Sequence, residues 1–202
     1  MADLTALALI CSLTPTPEPS SSELLARHVL DALQNQGTVT ASLRVVDHNV
    51  MPGVRIDMGD GDAWPGIRDR ILAADILVLA TPIWMGHPCS LAQRVIERLD
   101  ADLSETDDAG RPVMYGKVAI VAVVGNEDGA HKVNADMQQA LNDVGFTIPA
   151  QGGTYWVGEA MHTVNYNDLD SVPEKVAATT AGAARNAAHL ARTLSAAPYP
   201  AP

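Results

Sequence analysis

Hydroxyl side chains are concentrated in one segment near the N-terminus, between an apolar run and an amphipathic stretch. The segment also contains Pro15, Pro17 and Pro19, which exclude both a helix and a central strand. Serine and threonine hydroxyls, together with the free N–H groups at the start of the following helix, can bind a phosphate without any basic residue. The alternative is a surface turn that ends in a serine helix cap. The hydroxyl residues are Ser12, Thr14, Thr16, Ser20, Ser21 and Ser22.

Two further segments combine apolar or glycine residues with positions that follow a buried run. Trp84 and Met85 come soon after Ile76–Ala80, where a flat aromatic ligand, a neighbouring loop or a partner subunit would have to cover them. Gly125 and Gly129 follow Val118–Val124. Glycines there allow the backbone to approach a ligand closely, although a tight turn explains them equally well.

Apolar runs alternate with stretches of helical periodicity along the whole chain, which predicts five βα units. Right-handed crossovers turn such units into a doubly wound parallel sheet with helices on both faces. The hydroxyl-rich segment, the Trp84–Met85 segment and the Gly125–Gly129 segment then all follow the carboxyl ends of strands, where ligands bind in this architecture. The predicted strands are Leu4–Cys11, Thr40–Asp47, Ile76–Ala80, Val118–Val124 and a last one formed by Phe146–Ile148 and Thr154–Val157. The first predicted helix begins after Ser20–Ser22 and ends near Gly37. The other predicted helices are Trp64–Ala73, Cys89–Leu99 with Pro88 near its first position, a segment from Val133 that ends at Gly145, and Pro173–Leu194.

Composition narrows the function classes. The 202 residues predict a single domain with a frayed tail from about residue 196, and 47% hydrophobic against 4% aromatic residues predicts an aliphatic core. A net charge of −11 disfavours nucleic acids and anionic membranes. The acidic N-terminus does not match a secretory signal, and no apolar run approaches the roughly 20 residues that span a bilayer. We expect a soluble, cytoplasmic protein.

The sequence gives little indication of a metal site or of a catalytic nucleophile. Cys11 and Cys89 belong to no metal-ligand cluster and are expected to be buried. Asp57, Asp60 and Asp62 do not have the spacing of a calcium loop and are interpreted as a solvated connection. The sequence contains no G-x-S-x-G elbow, G-x-G-x-x-G fingerprint or P-loop. We therefore predict no metal site.

The order of these segments resembles the flavodoxin-like NAD(P)H-dependent FMN reductases, including quinone reductases of that fold. Thr81-Pro82-Ile83-Trp84-Met85-Gly86 is similar to the family's T-P-[IV]-[YW]-x-[GS] segment beside the flavin ring, and the resemblance extends over residues 4 to 195. It implies a three-layer fold with five parallel strands in the order 2-1-3-4-5. It also implies one FMN, which contacts three groups of residues. The phosphate ligands would be Ser12, Thr14, Ser20, Ser21 and Ser22; the ring would lie beside Pro82, Ile83, Trp84, Met85 and Gly86; and the third wall would be Gly125, Asn126, Glu127, Asp128 and Gly129, with His131 nearby.

The resemblance further implies that hydride passes from NADH or NADPH to FMN, and then electrons to a quinone, a flavin or another small acceptor. No catalytic side chain is assigned, although His87 and His131 are candidate proton donors. A homodimer or homotetramer is implied, with Trp64, Trp84 and Trp156 as candidate exposed apolar residues. Two alternatives stay open: a flavodoxin-type electron carrier that docks through its acidic surface, and a flavin-free binding domain. The acceptor and the choice between NADH and NADPH stay open as well.

Overall fold

Five parallel strands form the centre of the computed structural model, which describes residues 3–201. They lie in the order β2-β1-β3-β4-β5, which confirms the predicted doubly wound sheet. A two-residue segment, His87–Pro88, pairs antiparallel with the end of β3. The strands are β1 (Leu4–Ile10), β2 (Thr38–Arg44), β3 (Ile76–Trp84), β4 (Val118–Gly125) and β5 (Gly153–Val157).

Helices cover both faces of the sheet, and alternate strand residues point into the two resulting cores. The helices are α1 (Ser21–Gln34), α2 (Trp64–Ala73), α3 (Ser90–Leu99), α4 (Ala130–Val144) and α5 (Glu174–Ala196), with short 3-10 helices at Val45–Asp47, Asp100–Ser104 and Tyr166–Asp168. Leu7 and Leu9 of β1 pack towards α2, α3 and α4, whereas Ala6 and Ala8 pack towards α1 and α5. Both cores are mainly aliphatic, as the composition predicts.

The boundaries of two predicted strands are wrong by two residues or more. β2 begins at Thr38 and ends at Arg44, because Val45–Asp47 forms a 3-10 turn instead of continuing the strand. β3 does not stop at Ala80 but continues to Trp84. Its last part is held on one side by β4, and the antiparallel His87–Pro88 segment pairs back onto its final residues.

The start of α3 and the last strand also differ from the prediction. Pro88 lies in the short strand, and α3 begins at Ser90 with Cys89 as its N-terminal cap. The Cys89 amide donates to the Thr81 hydroxyl at 3.2 Å, which fixes this entry to the helix. Thr147 forms only an isolated bridge with Val118, so the final strand is confined to β5.

The interpretation of the 57–62 segment as a solvated connection is wrong for Asp62. The side chains of Asp62 and Arg98 are both fully buried, and their carboxylate and guanidinium atoms lie 2.8 Å apart. Arg98 also donates to the carbonyl oxygens of Met51, Arg55 and Ile56, at 2.7 to 3.0 Å. A buried guanidinium from α3 therefore organises the loop before α2, because it satisfies carbonyl groups that water would otherwise solvate.

Burial decides the role of several other predicted residues. Trp64 is completely buried against the Arg98 guanidinium, so it is not an exposed subunit contact. Cys11 and Cys89 are buried, as predicted. None of the helices described between residues 3 and 201 is both long and apolar enough to cross a bilayer.

Candidate functional site

A cavity of about 540 Å³ opens at the carboxyl edge of the sheet, beside the ends of β1, β3 and β4. The strand order reverses between β1 and β3, so the cavity lies at the switch point where ligands bind in open α/β sheets. Its volume is in the range of small-molecule and cofactor pockets, roughly 300–1,000 Å³. The fold brings most of the predicted site residues together here. Those that line the cavity are Ser12, Thr14, Ser20, Ser21, Ser22, Pro82, Ile83, Trp84, Met85, Gly125, Asn126 and Glu127.

Four predicted residues lie outside the cavity lining. Gly86 and Gly129 pack backbone against backbone: a Cβ on Gly129, whose φ is +122°, would come within 2.9 Å of the Gly86 Cα. Asp128 is exposed, and His131 faces away to contact the Tyr155 hydroxyl at 2.9 Å. Gly86 and Gly129 thus join the second and third loops, while the neighbouring residues of those loops form the walls.

The hydroxyl groups of the first wall have different hydrogen-bonding states. Ser20 caps α1 by accepting the Glu23 amide at 3.3 Å, and Ser12 accepts the Thr14 amide at 3.1 Å. Ser21 donates to the Asn167 side-chain oxygen at 2.7 Å. The hydroxyl groups of Ser20 and Ser12 thus accept a bond and keep their own proton to donate, whereas the Ser21 hydroxyl proton is already engaged.

Ser22 has a hydroxyl that is open to the cavity and has no protein partner. The residue as a whole is only 3% exposed and lines the cavity, and its hydroxyl makes no hydrogen bond within residues 3–201. The backbone N–H groups of Ser21 and Ser22 lie in the first turn of α1, where no intrahelical acceptor exists. An unpaired hydroxyl that faces the cavity beside free N–H groups at the positive end of a helix can bind an anion.

Charged side chains outside the cavity lining hold the loop of this first wall in place. Arg44, at the end of β2, is 4% exposed and donates to the Glu23 carboxylate at 2.7 Å and to the Thr14 carbonyl at 3.1 Å. Asp47 accepts the amide and the hydroxyl of Thr16 at 3.0 and 2.6 Å. These contacts tie the loop to β2 and to the first turn of α1, so the hydroxyl groups are held in position before a ligand arrives.

The Glu23–Arg44 contact predicts how stability depends on pH. The hydrogen bond from Arg44 lowers the pKa of Glu23, although partial burial opposes this. A carboxyl group whose pKa is depressed on folding contributes stability that is complete above its unfolded pKa, about 4.3, and is lost as the pH falls through the folded pKa. We expect the urea midpoint to fall below about pH 5, and this fall to be smaller in Glu23→Gln. Exposed Glu18→Gln is the control, and equal slopes in both variants would contradict the assignment.

The second wall is apolar and partly exposed. Trp84 is 56% exposed and Met85 is 87% exposed, although both stand at the rim of the cavity. Met85 has a φ of +54°, a conformation that non-glycine residues rarely adopt. The β3 end and the His87–Pro88 segment hold it there. Large apolar side chains left open around one cavity indicate a site that a flat apolar group covers.

The segment between β5 and Leu169, which we call the strap (residues 158–169), closes the remaining side of the cavity. Three contacts fasten it: Asn165 accepts the Asn126 amide at 3.1 Å, Asn167 accepts the Ser21 hydroxyl, and the Tyr166 hydroxyl lies 2.9 Å from His28 Nδ1. Sequence reasoning missed the strap. The lining residues that it did not predict are Leu13, Pro19, Val124, Trp156, Met161, His162, Asn165 and Tyr166.

Tyr166 of the strap and His28 of α1 form an uncharged, hydrogen-bonded pair. Burial raises the pKa of Tyr166 to about 12, and burial lowers the pKa of His28. Near neutral pH the phenol therefore keeps its proton and the imidazole is uncharged, and a hydrogen bond joins the two groups. Trp156 packs against Tyr166 with ring centroids 5.5 Å apart. Together these contacts give the cavity a rigid aromatic side. In the sequence, only the aromatic residues Trp156 and Tyr166 could have indicated this side of the cavity, and they follow no periodic pattern.

The wall chemistry fits a phosphate ester of a flat ring. One wall offers an unpaired hydroxyl and free N–H groups, and the adjoining wall offers uncovered Trp84 and Met85. A doubly wound five-stranded sheet in this strand order, with a cavity at its switch point, defines the flavodoxin-like architecture. The chain belongs to the family of NADPH-dependent FMN reductases, whose family model matches residues 4–162. The description of this family names FMN as the flavin and NADPH as the reductant.

Individual relatives include proteins that act on flavins. The chain is 31% identical over 209 residues to 8-demethyl-8-aminoriboflavin-5'-phosphate synthase of Streptomyces davaonensis, covering 97% of this chain and 80% of that protein. The crystal structure of RosB with bound 8-demethyl-8-formylriboflavin-5'-phosphate superimposes with a TM-score of 0.87 and 30% identity, covering 97% of this chain and 82% of that one.

A third relative is much longer than this chain. The chain is 36% identical over 172 residues to a divalent metal cation transporter, MntH, of Mycobacterium bovis. The match covers 83% of this chain but 25% of the transporter, so the chain spans about a quarter of that protein's length.

Proposed function

We propose that this protein binds FMN in the cavity at the switch point, oxidises NADH or NADPH, and passes the electrons to a quinone, a flavin or another small acceptor. The observation that carries this proposal is the unpaired Ser22 hydroxyl, open to the cavity, in a wall that adjoins exposed Trp84. A phosphate accounts for the first feature and an isoalloxazine ring for the second. A simple phosphate would leave Trp84 and Met85 uncovered.

The side chains have distinct roles in this proposal. The hydroxyl groups of Ser12, Ser20 and Ser22 and the first-turn N–H groups of α1 hold the phosphate, while Ser21 holds the strap. Trp84 and Met85 border the ring and exclude water from one side of it. Bound FMN supplies the hydride and electron transfer chemistry, and the protein supplies orientation and electrostatics.

No side chain of the cavity is required as an acid or base. The ionisable residues of the lining are Glu127, His162 and Tyr166, and His162 pairs with Glu159 at 3.3 Å. The two candidate proton donors, His87 and His131, contact Lys132 and Tyr155 and do not line the cavity. Protons therefore reach the acceptor from solvent at the open mouth, so we expect no single histidine substitution to abolish turnover.

Visible absorbance tests the proposal directly. We expect the purified protein, after addition of FMN and desalting, to keep flavin bands at about 375 and 450 nm. NADH or NADPH should then bleach these bands, and a quinone should restore them. A protein that retains no FMN would overturn the proposal. A protein that retains FMN but is reduced by neither nucleotide would instead be a flavodoxin-type electron carrier.

A second candidate function is modification of a flavin phosphate as substrate. It is supported by the 31% identity to the aminoriboflavin phosphate synthase, which extends over 97% of this chain. If the flavin phosphate is the substrate, its modification changes the mass of the flavin. Mass spectrometry of the flavin released after incubation with nucleotide and amino donors separates the two functions, since a reductase returns FMN unchanged.

We also propose that the chain is one domain and assembles as a homodimer or homotetramer. Met161 of the strap supports a subunit contact at the rim of the cavity, because it is 97% exposed and the proposed ring covers only Trp84 and Met85. Light scattering coupled to gel filtration measures the mass of the assembly. A monomer at all concentrations would contradict this part of the proposal.

A further inference from the structure

The backbone hydrogen bonds between β1 and β3 end at a proline. Their regular pairing stops at Ile10 and Ala80, and the Cys11 amide still donates to the Ala80 carbonyl at 2.8 Å. In a parallel ladder the next bond would run from the amide of residue 82 to the Cys11 carbonyl. Residue 82 is a proline, which has no N–H, so the ladder cannot supply this bond.

The thiol of Cys89 takes the place of the missing amide. It donates to the Cys11 carbonyl oxygen, and within residues 3–201 no other donor reaches that oxygen. Cys11 is completely buried, so water does not satisfy its carbonyl either. Thr81 holds Cys89 over this position, because its hydroxyl accepts the Cys89 amide at 3.2 Å and lies 3.6 Å from the sulfur.

This bond lies between two walls of the cavity. Cys11 immediately precedes Ser12, which has one of the hydroxyl groups proposed to hold the phosphate, and Pro82 belongs to the wall beside the ring. β3 keeps its place without the thiol, because β4 pairs with it as far as Pro82. The pairing of β1 with β2 ends at Ile10, as does its pairing with β3. Loss of the thiol would therefore loosen the start of the Ser12 loop and leave the ring wall in place.

We infer that Cys89 is a positioning residue of the FMN site, and that its thiol replaces the backbone donor that Pro82 lacks. The thiol fixes the end of β1 against β3, which keeps the Ser12 hydroxyl at the phosphate. The part of this inference that concerns FMN rests on the proposed function. The part that concerns the loop follows from the contacts of Cys89 alone.

The ratio of FMN affinity to riboflavin affinity, measured by fluorescence titration of the apoprotein, tests the inference. Cys89→Ala should lower this ratio by about three- to tenfold, the usual effect of losing one hydrogen bond. Cys89→Ser keeps a donor at the same position and should preserve the ratio. Cys11→Ala is the matched control, because it removes a second buried thiol and leaves the carbonyl of residue 11 in place. Equal effects of the two alanine substitutions would overturn the inference.

A double-mutant cycle with Pro82→Ala tests the replacement itself. Alanine restores the N–H at position 82, so Cys89→Ala should change the ratio little in that background. Comparison of the two backgrounds cancels the effect that Pro82→Ala has by itself on the ring. The same loss in both backgrounds would show that the thiol does not replace the amide. If Cys89→Ala did not fold, folding of the double variant would support the inference and its failure to fold would overturn it.

Amide hydrogen exchange of the apoprotein separates this inference from the proposed function. Residues 12–16 should exchange about three- to tenfold faster in Cys89→Ala than in the unchanged protein or in Cys11→Ala. The double variant should return them towards the original rate. This result supports the loop assignment even in a protein that retains no FMN, in which case the proposed function fails and the loop assignment stands. Unchanged exchange in Cys89→Ala would overturn the inference.

Discussion

Replacing Ser22 with alanine will weaken FMN binding by about 10- to 100-fold, because a hydrogen bond to a charged group contributes roughly 1.5–3 kcal/mol. Ser22 is a largely buried residue whose hydroxyl faces the cavity and makes no hydrogen bond within residues 3–201. Riboflavin has the same ring without the phosphate, so its affinity should stay nearly unchanged. Fluorescence titration of the apoprotein with both flavins gives the two dissociation constants.

Ser21→Ala is the matched control for this prediction. The Ser21 hydroxyl donates its proton to Asn167 of the strap, so its loss affects FMN and riboflavin alike. The ratio of the two affinities should therefore fall in Ser22→Ala and stay constant in Ser21→Ala. If the Ser22 substitution weakened both flavins equally, its hydroxyl would not contact the phosphate.

Replacing Arg98 with methionine will lower the free energy of unfolding by about 3–5 kcal/mol, the usual consequence of leaving one partner of a buried ion pair alone. Asp62 is fully buried with Arg98 and keeps its charge at neutral pH: burial raises its pKa, but amide hydrogen bonds from Met58, Trp64 and Met51 and the Arg98 contact outweigh burial and lower it. The substitution also strands the carbonyl groups that Arg98 satisfies.

Chemical denaturation measures the loss, and a thermal midpoint lower by about 10 °C should accompany it for a chain of this size. Arg94→Met is the control on the same helix. Arg94 makes one hydrogen bond, to the Val50 carbonyl at 3.1 Å, so its loss should cost about 1 kcal/mol. Equal losses in the two variants would show that the buried pair does not organise the loop.

The sequence alone determined the sheet and much of the cavity. Continuous apolar runs such as Val118–Val124 have few alternatives to a strand buried on both faces, and the connections between such strands fix their direction. Because parallel strands end at one edge, the hydroxyl-rich loop, the Trp84 loop and the Asn126 loop were bound to meet there. Local pattern and chain topology were sufficient for that part of the site.

Only the tertiary structure decided which side chains are available to a ligand. The sequence treats Ser21 and Ser22 as equivalent, but Asn167 engages the Ser21 hydroxyl and leaves that of Ser22 free. Asp62 looks like any loop carboxylate until Arg98 is packed beside it. The strap lacks periodicity, so nothing local predicted that it would bring Tyr166 to the cavity. These contacts join residues that are distant in the chain, and their energies depend on burial, which arises only when the helices pack onto the sheet.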